Sequence, residues 1–429
     1  MDFLILYEHV VREYESILLL KLELEKRGYK VKIQQLLDRK RIVNYLFPPK
    51  VIVTSCMYDD EAVNSHVYNN VGRCNKVVNL HWEQMLSDTQ EKEAWFNFAG
   101  AAKRCIQTCW GNKTRERLIA NGVNERNCPV TGAVMMDFLR PEFSGYFKDK
   151  NSLCEQYNLD KNKKLVLYIS SFGYASMTTA EVKELSDMAG VDFSGFAETN
   201  KISMEKTIEY FDKYLSLHDD IEIVYRRHPS EWASSELANL EKRQPHFHVI
   251  FEDSVKQWIV AADKIYIWMS TAIAEVYFAH KNCTVLRPVP VEHEYDPVIY
   301  KNAQIVSDYD GFADSMENDN KNFPIASQVI EGYFDSAERP AYMRMADLLE
   351  SVYKEPPRDI VFDNTFKPHA NILKFFALWG VHIFSALHFN PTPISAFAGR
   401  IYGYVEKAKI SKKDISKMEE KIKKYINKE

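Results

Sequence analysis

Paired cysteines are missing from this chain. Its seven cysteines in 429 residues, at 56, 74, 105, 109, 128, 154 and 283, make no CxxC pair and no zinc-ligand spacing. That argues against a disulfide framework or a zinc ribbon and for reduced, mostly buried thiols in a reducing compartment. An excess of positive charge is missing too. The formal net charge of −5 excludes a general nucleic-acid binder, which carries a basic face. No stretch reaches the roughly 18 uninterrupted apolar residues of a membrane span. The first residues, MDFLILYEHV, have no basic region before the apolar run, so they do not read as a signal peptide. A cytoplasmic location is expected. Short-period repeats and low-complexity tracts are absent as well.

What is present is a soluble globular composition, 46% hydrophobic and 27% charged, at a length that suggests two domains. Apolar runs alternate with amphipathic ones. FLILYE (3–8), KVIVTS (50–55), KVVNLHW (76–82) and RCIQTCW (104–110) read as strands. REYESILLLKLELEKRG between the first two has helical periodicity, with Gly28 at the position of a C-cap. The alternation lapses over a polar stretch and restarts with LVLYISS (165–171), IEIVYRR (221–227) and KIYIWMS (264–270). Strand–helix–strand repetition predicts parallel sheets covered on both faces. The expected organisation is an N-terminal Rossmann-like domain over 1–145, a linker over 146–162, a second Rossmann-like domain over 163–355 and a helical segment over 356–429. The two domains are expected to face a cleft, with ligands beyond the carboxyl ends of the strands.

Four constellations carry candidate chemistry. In YRRHPSE, Arg226, Arg227 and His228 follow a buried strand and Pro229 fixes the turn; this is either an exposed basic turn or a phosphate site. A helix cap is expected at Ser230 or Ser234. In WMSTAIAEVYF, Ser270 and Thr271 stand at a predicted helix start, where hydroxyls cap the helix, hold an anion, or do both. Glu275 lies one turn further on, as a ribose acceptor or a residue favoured by the helix dipole. In NLHWEQ, Glu83 is a candidate general base beside His81. In LYEHVVRE, Glu8, His9, Arg12 and Glu13 crowd the end of the first strand; the helix dipole explains Glu8 but not Arg12.

LYEHVVREYES, NLHWEQ, CWGNKTRERLIANGV with CPVTGAVMMDFLRPEF, YRRHPSE and WMSTAIAEVYFAHK, in this order, resemble bacterial surface-carbohydrate biosynthesis proteins. The resemblance spans roughly residues 1–290 and implies a GT-B-type glycosyltransferase of capsule or lipopolysaccharide assembly. The family reads Asn-Pro where this chain has Ala133-Val134, so the turn after Gly132 is expected to differ. The HP followed by a Ser/Thr pair is similar to the donor site of GT-B sialyl- and polysialyltransferases and of teichoic-acid glycerol-phosphate polymerases. That similarity implies donor contacts from His228, Ser270 and Thr271 and a CMP- or CDP-linked donor ahead of a UDP-linked one. HWEQ is similar to an acceptor-side loop of the peptidoglycan lipid-intermediate glucosaminyltransferase.

The reading of the whole is a transferase moving a sugar from a nucleotide-sugar donor to an oligosaccharide or lipid-linked acceptor, with no cofactor and no metal. Arg226, Arg227, His228, Ser270, Thr271 and Glu275 would hold the donor. Glu83 would be the base with Glu8 and His9 behind it, and His81, Arg12 and Glu13 would meet the acceptor. A CDP-polyol phosphotransferase, a sugar-nucleotide 2-epimerase and a non-catalytic glycan-binding scaffold are the alternatives. In the tail, NILKFFALWGVHIFSALHF (371–389) is apolar with a narrow polar stripe, and 407–429 holds nine lysines against four acids. An anionic membrane surface meeting 371–429 is one expectation, a closing helix on the core the other.

Overall fold

The computed structural model describes all residues except 39–40, 73–74, 93–95, 229–230, 302, 319–324, 326, 359, 370 and 427–429. It divides into two compact units. Unit 1 comprises 1–84, 94–138 and 331–429, and unit 2 comprises 85–93 and 139–330.

Unit 1 is built on a parallel sheet of β1 (Phe3–Tyr7), β2 (Val31–Gln35), β3 (Val51–Thr54), β4 (Val77–Asn79) and β5 (Ile106–Gln107), in the order β2-β1-β3-β4-β5. FLILY is buried along its whole length, as a central parallel strand covered on both faces must be. Helix α1 (Glu15–Lys26) returns the chain to β2. Gly28, at φ +90°, ends it: its N–H donates to Glu25 and that of Tyr29 to Leu24, the two bonds of a Schellman cap. Helix α2 (Arg41–Leu46) follows β2, and α3 (Asn112–Ala120) follows β5.

Unit 2 opens with α4 (Lys150–Tyr157) and has a parallel sheet of β6 (Lys164–Ile169), β7 (Ile221–Arg226), β8 (Phe247–Ile250), β9 (Lys264–Ile267), β10 (Thr284–Leu286) and β11 (Ile305–Val306). Its order is β11-β10-β9-β6-β7-β8. The stretch predicted as a linker therefore contains a helix. Asp149 caps α4 by accepting from Ser152, and Asn158, in the left-handed region, closes it. Helix α5 (Ser194–Leu215) covers the sheet, α6 (Ser235–Arg243) starts at Ser234, and α7 (Ile273–Phe278) follows β9. Ser234 takes the predicted capping role, and Ser230 lies outside the described residues.

The chain then returns to unit 1 as α8 (Ala341–Lys354), α9 (Ile372–Ala386), α10 (Ala396–Lys407) and α11 (Lys412–Ile426). Residues 331–355, read from the sequence as the end of the second domain, thus pack in unit 1. The backbone N–H groups of Ala341 and Tyr342 donate to the buried Asp137 carboxylate at 3.0 and 2.6 Å, capping α8 from a distant segment. The Tyr7 hydroxyl donates to the Ala408 carbonyl at 2.9 Å. Helix α11 lays Ile422 and Ile426 against the core and pairs Glu419 with Lys21 of α1 at 2.7 Å. Its apolar stripe is consumed by the protein, so this basic helix is a cover for α1, not an apolar anchor.

Candidate functional site

In an open parallel sheet the crevice forms where strand order reverses. In unit 1 the reversal falls between β1 and β3, and the residues singled out in LYEHVVRE lie beyond β1. The chain leaves β1 through a five-residue π-helical turn, Val10–Tyr14, a rare conformation that occurs frequently at functional sites. Arg12 is the hub. Its guanidinium donates to the buried Glu13 carboxylate at 2.8 Å, reaches Glu83 at 3.2 Å, and lies 3.9 Å from Glu8. The other Glu13 oxygen accepts from the Glu8 backbone at 2.9 Å, and His9 Nε2 is 3.7 Å from the Glu8 carboxylate. Glu8, His9, Arg12, Glu13 and Glu83, drawn from two sequence motifs, therefore form one cluster.

Burial, reinforced by the neighbouring Glu13 charge, raises the Glu8 pKa above the ordinary carboxyl range. Burial likewise raises that of Glu13 despite its bonds to Arg12. The Glu8 and Glu83 side chains remain 32% and 44% exposed. The cluster thus offers two accessible carboxyls beside one cation, and burial tunes Glu8 toward holding a proton. Cys56, just beyond β3, is a free thiol whose pKa burial pushes up to about 12, so it stays protonated.

His81 was expected to meet an acceptor, and it does not present its ring. It is fully buried, at φ +50°, edge-on to Phe98 with ring centroids 4.9 Å apart. Neither ring nitrogen has a partner among the described residues. Burial and the Arg117 charge lower its pKa to about 3. It lies in the left-handed region of the turn that leads from β4 to Glu83.

In unit 2 the reversal falls between β6 and β9. The segments beyond those strands begin with Ser170-Ser171 and with Trp268-Met269-Ser270-Thr271. Ser270 is not the helix cap. Ala272 is, without a side-chain bond, while the Ser270 hydroxyl accepts from the Ala272 N–H at 3.2 Å and its carbonyl accepts from Tyr300 at 2.5 Å. Thr271 is exposed. The six-residue α7 is too short to act through its dipole, so Ser270 and Thr271 count as hydroxyls on a fixed turn. Glu275 is half-buried, and burial raises its pKa against the opposing Lys256 charge.

The three cationic groups of YRRHP part company. Arg226 is buried and spends its guanidinium on the carbonyls of Arg227 at 2.9 Å and Asp253 at 2.7 Å; burial lowers its pKa to about 10. It ties the segment after β8 to the β7 end, so donor binding by its guanidinium is set aside. Arg227 lies with its guanidinium 5.1 Å from the Phe251 ring centre and is half-exposed, as is His228.

Sequence reading missed Glu231, the last residue of YRRHPSE. It is 3% exposed, accepts from Ser170 at 2.5 Å and Tyr225 at 2.7 Å, and lies 3.4 Å from the His228 N–H. Burial raises its pKa. One carboxyl thereby joins the β6 and β7 ends and sets the His228 turn. The only sequence signal for it was a charged residue two places after a proline that breaks a buried strand.

No family model matches the chain, and no curated protein matches it in sequence. Solved structures do. The UDP-GlcNAc 2-epimerase of Methanocaldococcus jannaschii, in complex with UDP-GlcNAc and UDP, is 12% identical with a TM-score of 0.52, covering 82% of this chain and 100% of that one. The Neisseria meningitidis UDP-GlcNAc 2-epimerase bound to UDP-GlcNAc is 13% identical with a TM-score of 0.51, at 82% and 100% coverage. The wall teichoic acid polymerase TagF is 12% identical with a TM-score of 0.54, at 82% and 89% coverage. At such identities the likeness speaks to architecture. Two parallel-sheet Rossmann-like units and a helical C-terminal tail give this chain the GT-B fold, as its resemblance to surface-carbohydrate biosynthesis proteins implied.

Proposed function

We propose that this chain is an enzyme acting on a nucleotide-activated sugar. The nucleotide would be taken at the β6–β9 reversal of unit 2, by Arg227, His228, Ser270 and Thr271. The acid–base groups would be Glu8 and Glu83 of unit 1, with His9 beside Glu8 and Arg12 and Glu13 holding the two carboxyls in place. The observation that carries the reading is the convergence of these five residues at the strand-order reversal of a GT-B sheet.

Epimerisation within the sugar nucleotide is the first reading. It needs proton removal and return and no acceptor, which suits a pair of accessible carboxyls, one of them biased by burial toward holding a proton. The UDP-GlcNAc 2-epimerases among the solved neighbours support it. Transfer is the second reading, of a glycosyl group to an oligosaccharide or lipid-linked acceptor or of a polyol phosphate from a CDP-linked donor. Helix α9 favours it: Ile372, Leu373 and Phe376 are exposed, and a soluble sugar nucleotide alone requires no such surface. In that reaction Glu83 would deprotonate the acceptor hydroxyl while Arg227 and His228 stabilise the departing phosphate.

Two measurements test this. Thermal unfolding with UDP, CDP, CMP and GDP should show stabilisation by one of them, reduced in His228→Ala. No stabilisation by any at millimolar concentration would leave a non-catalytic scaffold. Proton NMR of UDP-GlcNAc with the enzyme alone then separates the reactions: a new sugar epimer without acceptor means epimerisation, and turnover only when an acceptor is supplied means transfer.

A further inference from the structure

Helix α9 buries a narrow mixed face, Leu378, Val381 and Ser385. Beside it, Lys374 donates to the Ser65 hydroxyl at 3.0 Å and His382 Nε2 lies 3.0 Å from the Leu37 carbonyl. Most of its other large apolar residues face outward. Leu373 is 81% exposed, Phe376 71%, Ile372 64%, and Trp379 and Ile383 are half exposed. Helix α2 touches it through Tyr45 and Phe375, whose ring centres are 5.9 Å apart, and exposes its last residue Leu46, followed by the equally exposed Phe47. All of this lies within unit 1.

Folding of the chain does not account for that outward face. A row of Leu, Phe, Trp and Ile side chains in water forgoes favourable burial, and contiguous exposed patches of this kind mark interaction surfaces. Charge identifies the partner. Residues 375–399 contain no Asp, Glu, Lys or Arg, so nothing charged interrupts the apolar face. Around it the chain turns basic: 364–413, between Asp363 and Asp414, carries seven Lys and Arg (367, 374, 400, 407, 409, 412 and 413) against the single acid Glu406, in a protein of net charge −5. Of these, Lys374 is turned inward to Ser65 and Lys409 pairs with Glu406. At 15 residues α9 is too short to span a bilayer, and no described helix is long and apolar enough to cross one. An apolar face with aromatic residues, uninterrupted by charge and set in a basic segment, fits the interface of an anionic bilayer.

We propose that α9, with the exposed end of α2, docks unit 1 on an anionic lipid surface as a monotopic anchor. This deepens the transfer reading by naming where a lipid-linked acceptor would be met, yet rests on the apolar face and its charge setting alone.

The full-length protein would be floated with vesicles of phosphatidylcholine, with and without about 30% phosphatidylglycerol. Flotation is expected with the anionic vesicles, weakening as salt is raised. Leu373→Glu with Phe376→Glu should lower the partition coefficient about tenfold or more. Because both side chains point outward, its Tm and its nucleotide-induced shift should match those of the parent. As a second readout, brominated lipid should quench tryptophan emission in the parent more than in Trp379→Phe. Failure of the parent to float, or equal flotation of the double variant, would overturn the anchor. So would a dimer in solution that the double variant dissociates, which would make a second copy the occupant. Loss of the nucleotide shift with flotation intact would instead count against the enzymatic reading.

Discussion

Arg12 and Glu83, 71 residues apart in sequence, meet at 3.2 Å, and the same guanidinium holds the buried Glu13 at 2.8 Å. One cation thereby fixes an accessible carboxylate against a buried one. Glu83→Gln keeps the side-chain volume and removes the carboxylate, and the exposed pair contributes little to stability. Turnover should fall about 100-fold or more if Glu83 moves a proton, with Tm nearly unchanged. An unaltered rate would shift the acid–base role to Glu8.

Glu231 gives the opposite pattern. Glu231→Ala removes the acceptor shared by the Ser170 and Tyr225 hydroxyls, which lie 2.7 Å apart and can then bond only each other. One buried donor is left without an acceptor, so a loss of about 1–3 kcal/mol is expected. Nucleotide affinity should fall with it, because the His228 turn loses its support. Denaturant titration and nucleotide binding measured on the same variant check both. A variant as stable as the parent would show that the carboxyl is dispensable to the turn.

Acid should destabilise unit 1 through His81. Its pKa is lowered from 6.5 to about 3 in the folded state, so the unfolded chain takes up the proton first. The stability it contributes is complete above about pH 6.5 and is lost as pH falls toward 3, at up to about 1.4 kcal/mol per pH unit. His66, lowered to about 4, acts in the same direction. In His81→Asn, where the new residue tolerates the left-handed backbone, the slope of stability against pH between 4.5 and 6.5 should be shallower by up to one proton. Unfolding curves across that range measure it, and an unchanged slope would refute the assignment.

Gly132 sits at φ +76°, and a Cβ there would come 2.4 Å from the Arg344 guanidinium and 3.0 Å from Ala341. Strain and crowding together predict a cost of about 1–3 kcal/mol for Gly132→Ala. Asp137→Ala, which removes the cap from α8, should cost about 1–2 kcal/mol. Calorimetry of the two variants checks both values. Equal stability to the parent would mean the turn and the cap relax without loss.

The sheets were legible because parallel strands buried on both faces leave unbroken apolar runs, as FLILY and LVLYI do. The strand-end chemistry was legible for the same reason: titratable groups directly after such a run stand out. Burial of individual polar residues was not legible. His81 and Glu83 are two residues apart on one turn, yet one is sealed among aromatic rings and the other half-exposed. Arg226 and Glu231 likewise look like surface charges until their partners, the Asp253 carbonyl and the Ser170 hydroxyl, are placed. The polar stripe of α9 was visible in sequence, but its direction was not, since periodicity gives the spacing of a stripe and not the side it faces.

The order in which the chain builds its units carries a consequence for its synthesis. Unit 2 is complete once residue 330 has been made, whereas the first strand of unit 1 still lacks the Ala408 carbonyl for Tyr7, and α1 still lacks the cover of α11. The half made first is thus finished last. A nascent chain halted after unit 2 should hold one protease-resistant unit and leave the β1–β5 residues open to cleavage, so that unit 1 depends on helpers or speed at the ribosome while unit 2 does not. Limited proteolysis of stalled chains would show the reverse pattern if unit 1 folded without its last hundred residues.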